Sequence, residues 1–189
     1  MWLWGKLFCM TTNYYLLLGL KQEFDISQEQ LAANHLKLQK AIHPDNFANA
    51  SSAEKLEAMK QVSLINDAFQ LLKDPYQRGV YLLTLSGWQK PQEHQTIQAP
   101  ELLMQQMSLR ERFEEIKTCQ QPEKQLDSFF DDIEDLIKKQ YQTIVALFET
   151  VKTTTSESIY IELVRIKYFR KLKQEIIKFE EFLEDSMTH

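Results

Sequence analysis

Glycine is scarce in this chain. Only Gly5, Gly19, Gly79 and Gly87 occur among 189 residues, and the last 102 residues have none. No glycine-rich loop is available to cradle a phosphate. Cysteine is scarcer still: Cys9 and Cys119 stand alone without a CxxC pair, which leaves no material for a disulfide framework or a zinc cage and fits a reducing compartment. The four histidines (His35, His43, His94, His189) have no metal-ligand spacing. No arginine precedes Arg78, unlike an arginine-rich organellar presequence. The opening run "MWLWGKLFC" is apolar but interrupted by Lys6. It falls far short of the ~20 residues a membrane span takes, and no small-residue cleavage site follows it cleanly. Residues 1–9 read as an extension from an upstream start site, with Met10 opening a more ordinary beginning.

What is present supports a globular core, with 43% hydrophobic and 26% charged residues. The net charge of -5 is uneven. Residues 1–90 hold 9 Lys+Arg against 8 Asp+Glu, and residues 91–189 hold 13 against 19. An acidic second half argues against a dominant nucleic-acid footprint. Neither a membrane partner nor a metal or other cofactor is expected.

Periodicity and punctuation predict an all-α chain. A short helix covers Tyr14–Leu18 and stops near Gly19. "SQEQ" at Ser27–Gln30 reads as a capping box, the serine accepting from a free N–H and the glutamine reaching back. The helix after it turns Leu31, Leu38 and Ile42 inward and ends before Pro44. "SSAE" at Ser51–Glu54 is a second capping box. It opens a helix expected to bury Leu56, Met59, Val62, Ile65, Phe69 and Leu72. A further helix starts near Pro75, a favourable first-turn residue, and runs to Gly87.

The polar, proline-flanked stretch at 89–99 reads as a linker. Three amphipathic helices follow: Pro100–Cys119, Pro122 to about Lys152, and one after "TTTSES". The second carries Leu126, Phe130, Ile133, Ile137, Tyr141, Ile144, Phe148 and Val151 on one stripe. The last carries Ile159, Leu163, Ile166, Phe169, Leu172, Ile176, Phe179 and Leu183. Short joints between them make an antiparallel bundle. The expected organisation is an N-terminal extension at 1–12, a helical-hairpin domain at 13–88, the linker, and a three-helix bundle at 100–185.

Between the two capped helices lies His43-Pro44-Asp45. Proline biases the preceding residue toward an extended backbone and stiffens the turn. A carboxylate held this way is fit to meet a partner's arginine in fixed geometry. A blander reading makes His43 a helix-end residue and Asp45 turn decoration. A catalytic reading would make His43 a general base oriented by Asp45. Neighbours across a proline do not readily form that hydrogen bond, and no nucleophile motif or metal cluster completes the site. No enzymatic activity is expected.

The first bundle helix has two apolar sides. At about 100° per residue, Leu102, Leu109, Phe113 and Ile116 share one face, while Leu103, Met104 and Met107 fall on another together with Glu111. A helix bordering one core needs one stripe. The second stripe packs elsewhere in the chain or meets a partner, and methionine suits adaptable binding surfaces. Tyr168 lies at the margin of the last helix's stripe.

Two signatures now combine. "NYYLLLGL", "HLKLQKAIHPDNF" and "INDAFQLLKDPYQRGVYLL" together resemble the J-domain, the module by which co-chaperones stimulate DnaK-type ATPases. This likeness covers Asn13 to Gly87. "HPDNF", "YLLTLSG" and the acidic bundle with "LLMQQMSLRE" extend it: the chain resembles the HscB-type co-chaperones of iron–sulfur cluster assembly from Asn13 to its end. The resemblance implies two partners, a specialised DnaK-type chaperone ATPase (HscA-like) and an iron–sulfur scaffold (IscU-like). It assigns His43, Pro44 and Asp45, with Lys37 and Lys40, to the ATPase. It assigns Leu103, Met104, Met107, Glu111 and Tyr168 to the scaffold. A general J-protein serving other clients is the alternative.

There are departures from the family pattern. Asn46 stands where lysine commonly follows the tripeptide, and Ser108 where relatives are commonly acidic. The usually basic helix before the tripeptide offers only Lys37 and Lys40, with His35 nearby and Glu29 opposing. Exposed ion pairs contribute about 0–1 kcal/mol each, so docking through two lysines is expected to be weak and salt-sensitive. The cysteine zinc module of many eukaryotic relatives is missing from this sequence, which favours a bacterial, cytoplasmic form.

Overall fold

The computed structural model describes residues 13–43, 51–91, 99–150 and 155–187. Among them are seven α-helices and no strand, so the architecture is the all-α one expected. The chain divides into two compact units between Ser86 and Gly87.

The first unit holds α1 (Tyr14–Leu17), α2 (Gln28–Ala41), α3 (Ser52–Lys73) and α4 (Pro75–Leu85). Asn13 caps α1 by accepting from the Tyr15 N–H at 2.9 Å. Past its end Gly19 takes φ +63°, a conformation that favours glycine. Asn34 of α2 donates to the Leu18 carbonyl at 2.8 Å, tying the turn to the hairpin. The α2 cap is half as expected. Ser27 Oγ accepts from the Gln30 N–H at 3.1 Å, but the side chain that engages the serine is Glu29. The α3 box is complete: Glu54 N–H donates to Ser51 Oγ, and Ser51 N–H donates back to Glu54 at 2.8 Å.

α2 and α3 form an antiparallel pair, pinned where Asn66 Oδ1 accepts from Gln39 Nε2 at 2.9 Å and lies 3.0 Å from His35 Nε2. The core of this unit buries Tyr15, Leu18, Leu31, Ile65, Ala68 and Leu72. Each large apolar side chain buried there contributes roughly 1.5–3 kcal/mol. Two residues expected inside are not. Leu56 is 56% exposed and Met59 65%, and Ala58 is the buried residue of that turn. The reason is the helical period. At about 100° per residue, repeated three-residue steps back from Ile65 carry Met59 about 120° and Leu56 about 180° off the core face, whereas Ala58, two turns from Ile65, stays on it.

Arg78 is buried at 1% exposure. Its Nε donates to the Phe24 carbonyl at 2.8 Å and one terminal nitrogen to the Leu72 carbonyl at 2.6 Å, with the guanidinium 4.9 Å above the Phe24 ring. Leu72 lies in the last turn of α3, where carbonyls lack helical partners, so a cation there caps the helix and suits its dipole.

The second unit holds α5 (Pro100–Thr118), α6 (Pro122–Glu149) and α7 (Ser156–Met187). Proline opens α5 and α6 at the first turn, where its missing N–H costs nothing. The three run up, down and up. Arg112 pairs with Asp132 at 2.8 Å across α5 and α6, and Gln140 donates to Glu162 at 2.7 Å across α6 and α7. Phe113, Ile116, Leu126, Phe129, Ile133, Leu172 and Ile176 form the core. Phe129 takes the central place expected for Phe130, because Phe113 stacks on it at 5.9 Å and Arg112 lies 4.8 Å over its ring. Phe130 is half-buried under Lys173. Val151, expected on the same stripe, lies outside the described residues. Trp88 packs on Tyr160 at 4.9 Å. No helix among the described residues is long and apolar enough to cross a membrane.

Candidate partner-binding sites

The first candidate lies on the first unit. α2 ends at Ala41, Ile42 turns inward as its cap, and His43 emerges exposed. Pro44 and Asp45 lie outside the described residues. Lys37 and Lys40, one helical turn apart, are exposed on α2 beside Leu36, itself 51% exposed. His35 does not join them. Its ring stacks on Phe69 at 4.1 Å and faces α3, so it belongs to the hairpin's packing. Asn66 likewise serves the packing between α2 and α3.

The second candidate lies on α5 and α7. The two faces read from the sequence are separate: Leu102, Phe113 and Ile116 are buried at 5%, 1% and 3%, while Leu103, Met104 and Met107 are 58%, 70% and 54% exposed. Glu111 is exposed on the same outer side. Beside them a shallow open groove of about 510 Å³ runs between α5 and α7. It brings Leu103, Met107, Glu111 and Tyr168 together, while Met104 stands outside its lip. Its apolar base is Tyr168 with Leu172.

Tyr168 is half-buried, and its hydroxyl donates to the Gln106 carbonyl at 2.9 Å. The phenol thus ties α7 to α5 and offers its ring, not its hydroxyl, to the groove. Burial pushes its pKa upward, so it stays a neutral donor.

Sequence reasoning missed the groove's polar members. Arg110 bonds Glu175 across the two helices and pairs with Glu114 at 3.4 Å along its own. The Glu175 bond holds the Arg110 pKa above its ordinary value, so the guanidinium is a fixed cation. Arg110 lies two turns after Leu103, and Glu175 two turns after Tyr168, so helical spacing would have flagged both.

The model of the DnaJ domain matches residues 13–81, and that of the "HSCB C-terminal oligomerisation domain" matches residues 98–177. A co-chaperone protein HscB homolog of Vibrio cholerae is 37% identical over 174 residues, spanning 90% of this chain and 98% of that protein. The homolog of Shewanella halifaxensis is 34% identical over 173 residues, 92% and 99% of the two chains. The structure of the chaperone HscB from Vibrio cholerae superposes with a TM-score of 0.80 at 33% identity, covering 90% of this chain and 99% of that one. Human co-chaperone protein HscB shares the fold, with a TM-score of 0.79 at 24% identity over 90% and 83% of the chains. With a DnaJ domain ahead of an HscB-type bundle, and identity above a third along nearly the whole length of a curated relative, this chain belongs to the HscB co-chaperone family.

Proposed function

We propose that this chain is a bacterial, cytoplasmic co-chaperone of iron–sulfur cluster assembly that works by docking, with no catalysis of its own. Its bundle binds the cluster scaffold (IscU-like) through Leu103, Met104, Met107 and the ring of Tyr168, with Glu111 at the rim. Its J-domain presents His43, Pro44 and Asp45, flanked by Lys37 and Lys40, to a specialised DnaK-type ATPase (HscA-like) and stimulates ATP hydrolysis. Both contacts on one molecule raise the effective concentration of scaffold at the ATPase without new interactions.

The observation that carries this reading is the exposure of Leu103, Met104 and Met107, three apolar side chains on the α5 face turned away from the core. Covering the exposed part of each contributes roughly 1–2 kcal/mol to an interface. The DnaJ-domain match supports a DnaK-type partner for the first unit.

The two halves separate by mutation. Asp45→Ala is expected to abolish ATPase stimulation and leave calorimetric binding of purified scaffold unchanged. Met104→Ala with Met107→Ala is expected to weaken scaffold binding and keep basal stimulation. Loss of both activities in both variants, with helicity intact, would contradict the division.

A further inference from the structure

The groove between α5 and α7 is bordered by charges that the apolar anchors do not use, and these are unequally neutralised. Arg110 is held by Glu175 and Glu114. Lys171 has only the far oxygen of the same Glu175 at 4.0 Å, with its side chain 75% exposed. Across the groove Glu111 stands exposed on α5.

The local charge is unusual for this half of the chain. From Leu163 to Gln174 α7 carries Arg165, Lys167, Arg170, Lys171 and Lys173 and no acidic residue, although residues 91–189 hold 19 acidic against 13 basic side chains. Arg165 is paired to Glu162, and Lys173 to Glu134. Lys171 is the member of this run that lines the groove.

We propose that Lys171 is a rim contact for an acidic side chain of the scaffold, placed next to the apolar side chain that enters the groove. This deepens the scaffold-binding reading and rests on it. The occupant is a surface segment with an apolar anchor, a carboxylate toward α7 and a basic group toward Glu111 on α5. That polarity fixes which way the segment lies, something an apolar strip alone does not specify. Rim charges act mainly on encounter rate and its salt dependence, whereas buried apolar anchors act on residence time, so the two roles have different kinetic signatures.

The test measures association and dissociation rates of the full chain with purified iron–sulfur scaffold protein at low and high salt. Lys171→Glu slows association about fivefold at low salt, with dissociation nearly unchanged and the difference shrinking as salt rises. Lys171→Gln gives about half that effect on the logarithmic scale and guards against misfolding of the reversed variant. Lys139→Glu, the same change of net charge on exposed α6, leaves association near the parent's. Met107→Ala speeds dissociation. Parent-like association in Lys171→Glu, or equal slowing in Lys139→Glu, overturns the rim contact while a faster-dissociating Met107→Ala keeps the scaffold reading. Parent-like kinetics in Met107→Ala as well removes the reading beneath it.

Discussion

Replacing Arg78 by alanine should selectively destabilise the J-domain. The side chain donates two charge-assisted hydrogen bonds, to the carbonyls of Phe24 and Leu72, from a buried position. Hydrogen bonds from charged groups contribute about 1.5–3 kcal/mol each, and the truncation leaves buried carbonyls without this donor. The two losses overlap, so about 3–5 kcal/mol is expected. A small domain has roughly 5–15 kcal/mol to lose. With an m-value of roughly 1.5 kcal/mol/M, the urea midpoint falls by about 2–3 M. Arg78→Lys keeps the charge but not the fork that reaches two carbonyls, and should lose about half as much. The assay is urea titration followed by methyl NMR, with Leu31 and Leu72 reporting the first unit and Ile133 and Ile166 the bundle. A midpoint within about 0.3 M of the parent for Leu72, corresponding to about 0.5 kcal/mol, would refute the role given to Arg78.

Two further outcomes follow from local geometry. Tyr168→Phe deletes the bond to the Gln106 carbonyl and should cost the bundle about 1 kcal/mol in thermal unfolding, while calorimetric scaffold affinity stays within about twofold because the ring remains; Tyr168→Ala should weaken both. The Ser51 backbone N–H and hydroxyl both bond the Glu54 carboxylate and hold its pKa below the ordinary value. Since the folded-state value is the lower one, this stabilisation is present above the ordinary carboxylate range and is lost as pH falls through the lowered value. Ser51→Ala removes the hydroxyl but keeps the backbone N–H, the larger of the two causes, so the Glu54 pKa should rise only part of the way toward its ordinary value, read from its carboxyl carbon by NMR.

The fold was legible where local chemistry decided it. The Ser51–Glu54 box and the prolines at 75, 100 and 122 opened helices where expected. The double apolar face of α5 was legible because a helix has a fixed period and one core takes one stripe. Leu56 and Met59 failed on the period itself: three-residue steps from Ile65 drift off the core face that Ala58, Ile65, Ala68 and Leu72 share. The other failures depended on neighbours distant in sequence. Phe129 and Phe130 are adjacent and equally apolar, and only Phe113 and Arg112 on α5 choose between them. Gln140 is 7% exposed at a position that the spacing of Leu126, Ile133 and Ile144 turns inward, and only its partner Glu162 on α7 explains why a polar side chain is tolerated there. The candidate scaffold residues were named from pattern and resemblance together. Helical spacing puts Arg110 and Glu175 in line with Leu103 and Tyr168, but their pairing with each other, and the place of Lys171 at the groove, depend on the facing helix.

The central claim is that the outer face of α5 is where the scaffold sits. Methyl-labelled methionine offers a direct measurement, since Met104, Met107 and Met59 are comparably exposed at 70%, 54% and 65% but only the first two lie on that face. Titrating unlabelled scaffold into the labelled chain should shift and broaden the Met104 and Met107 methyl signals and leave Met59 in place. Movement of Met59 with Met104 and Met107 unperturbed would contradict the account.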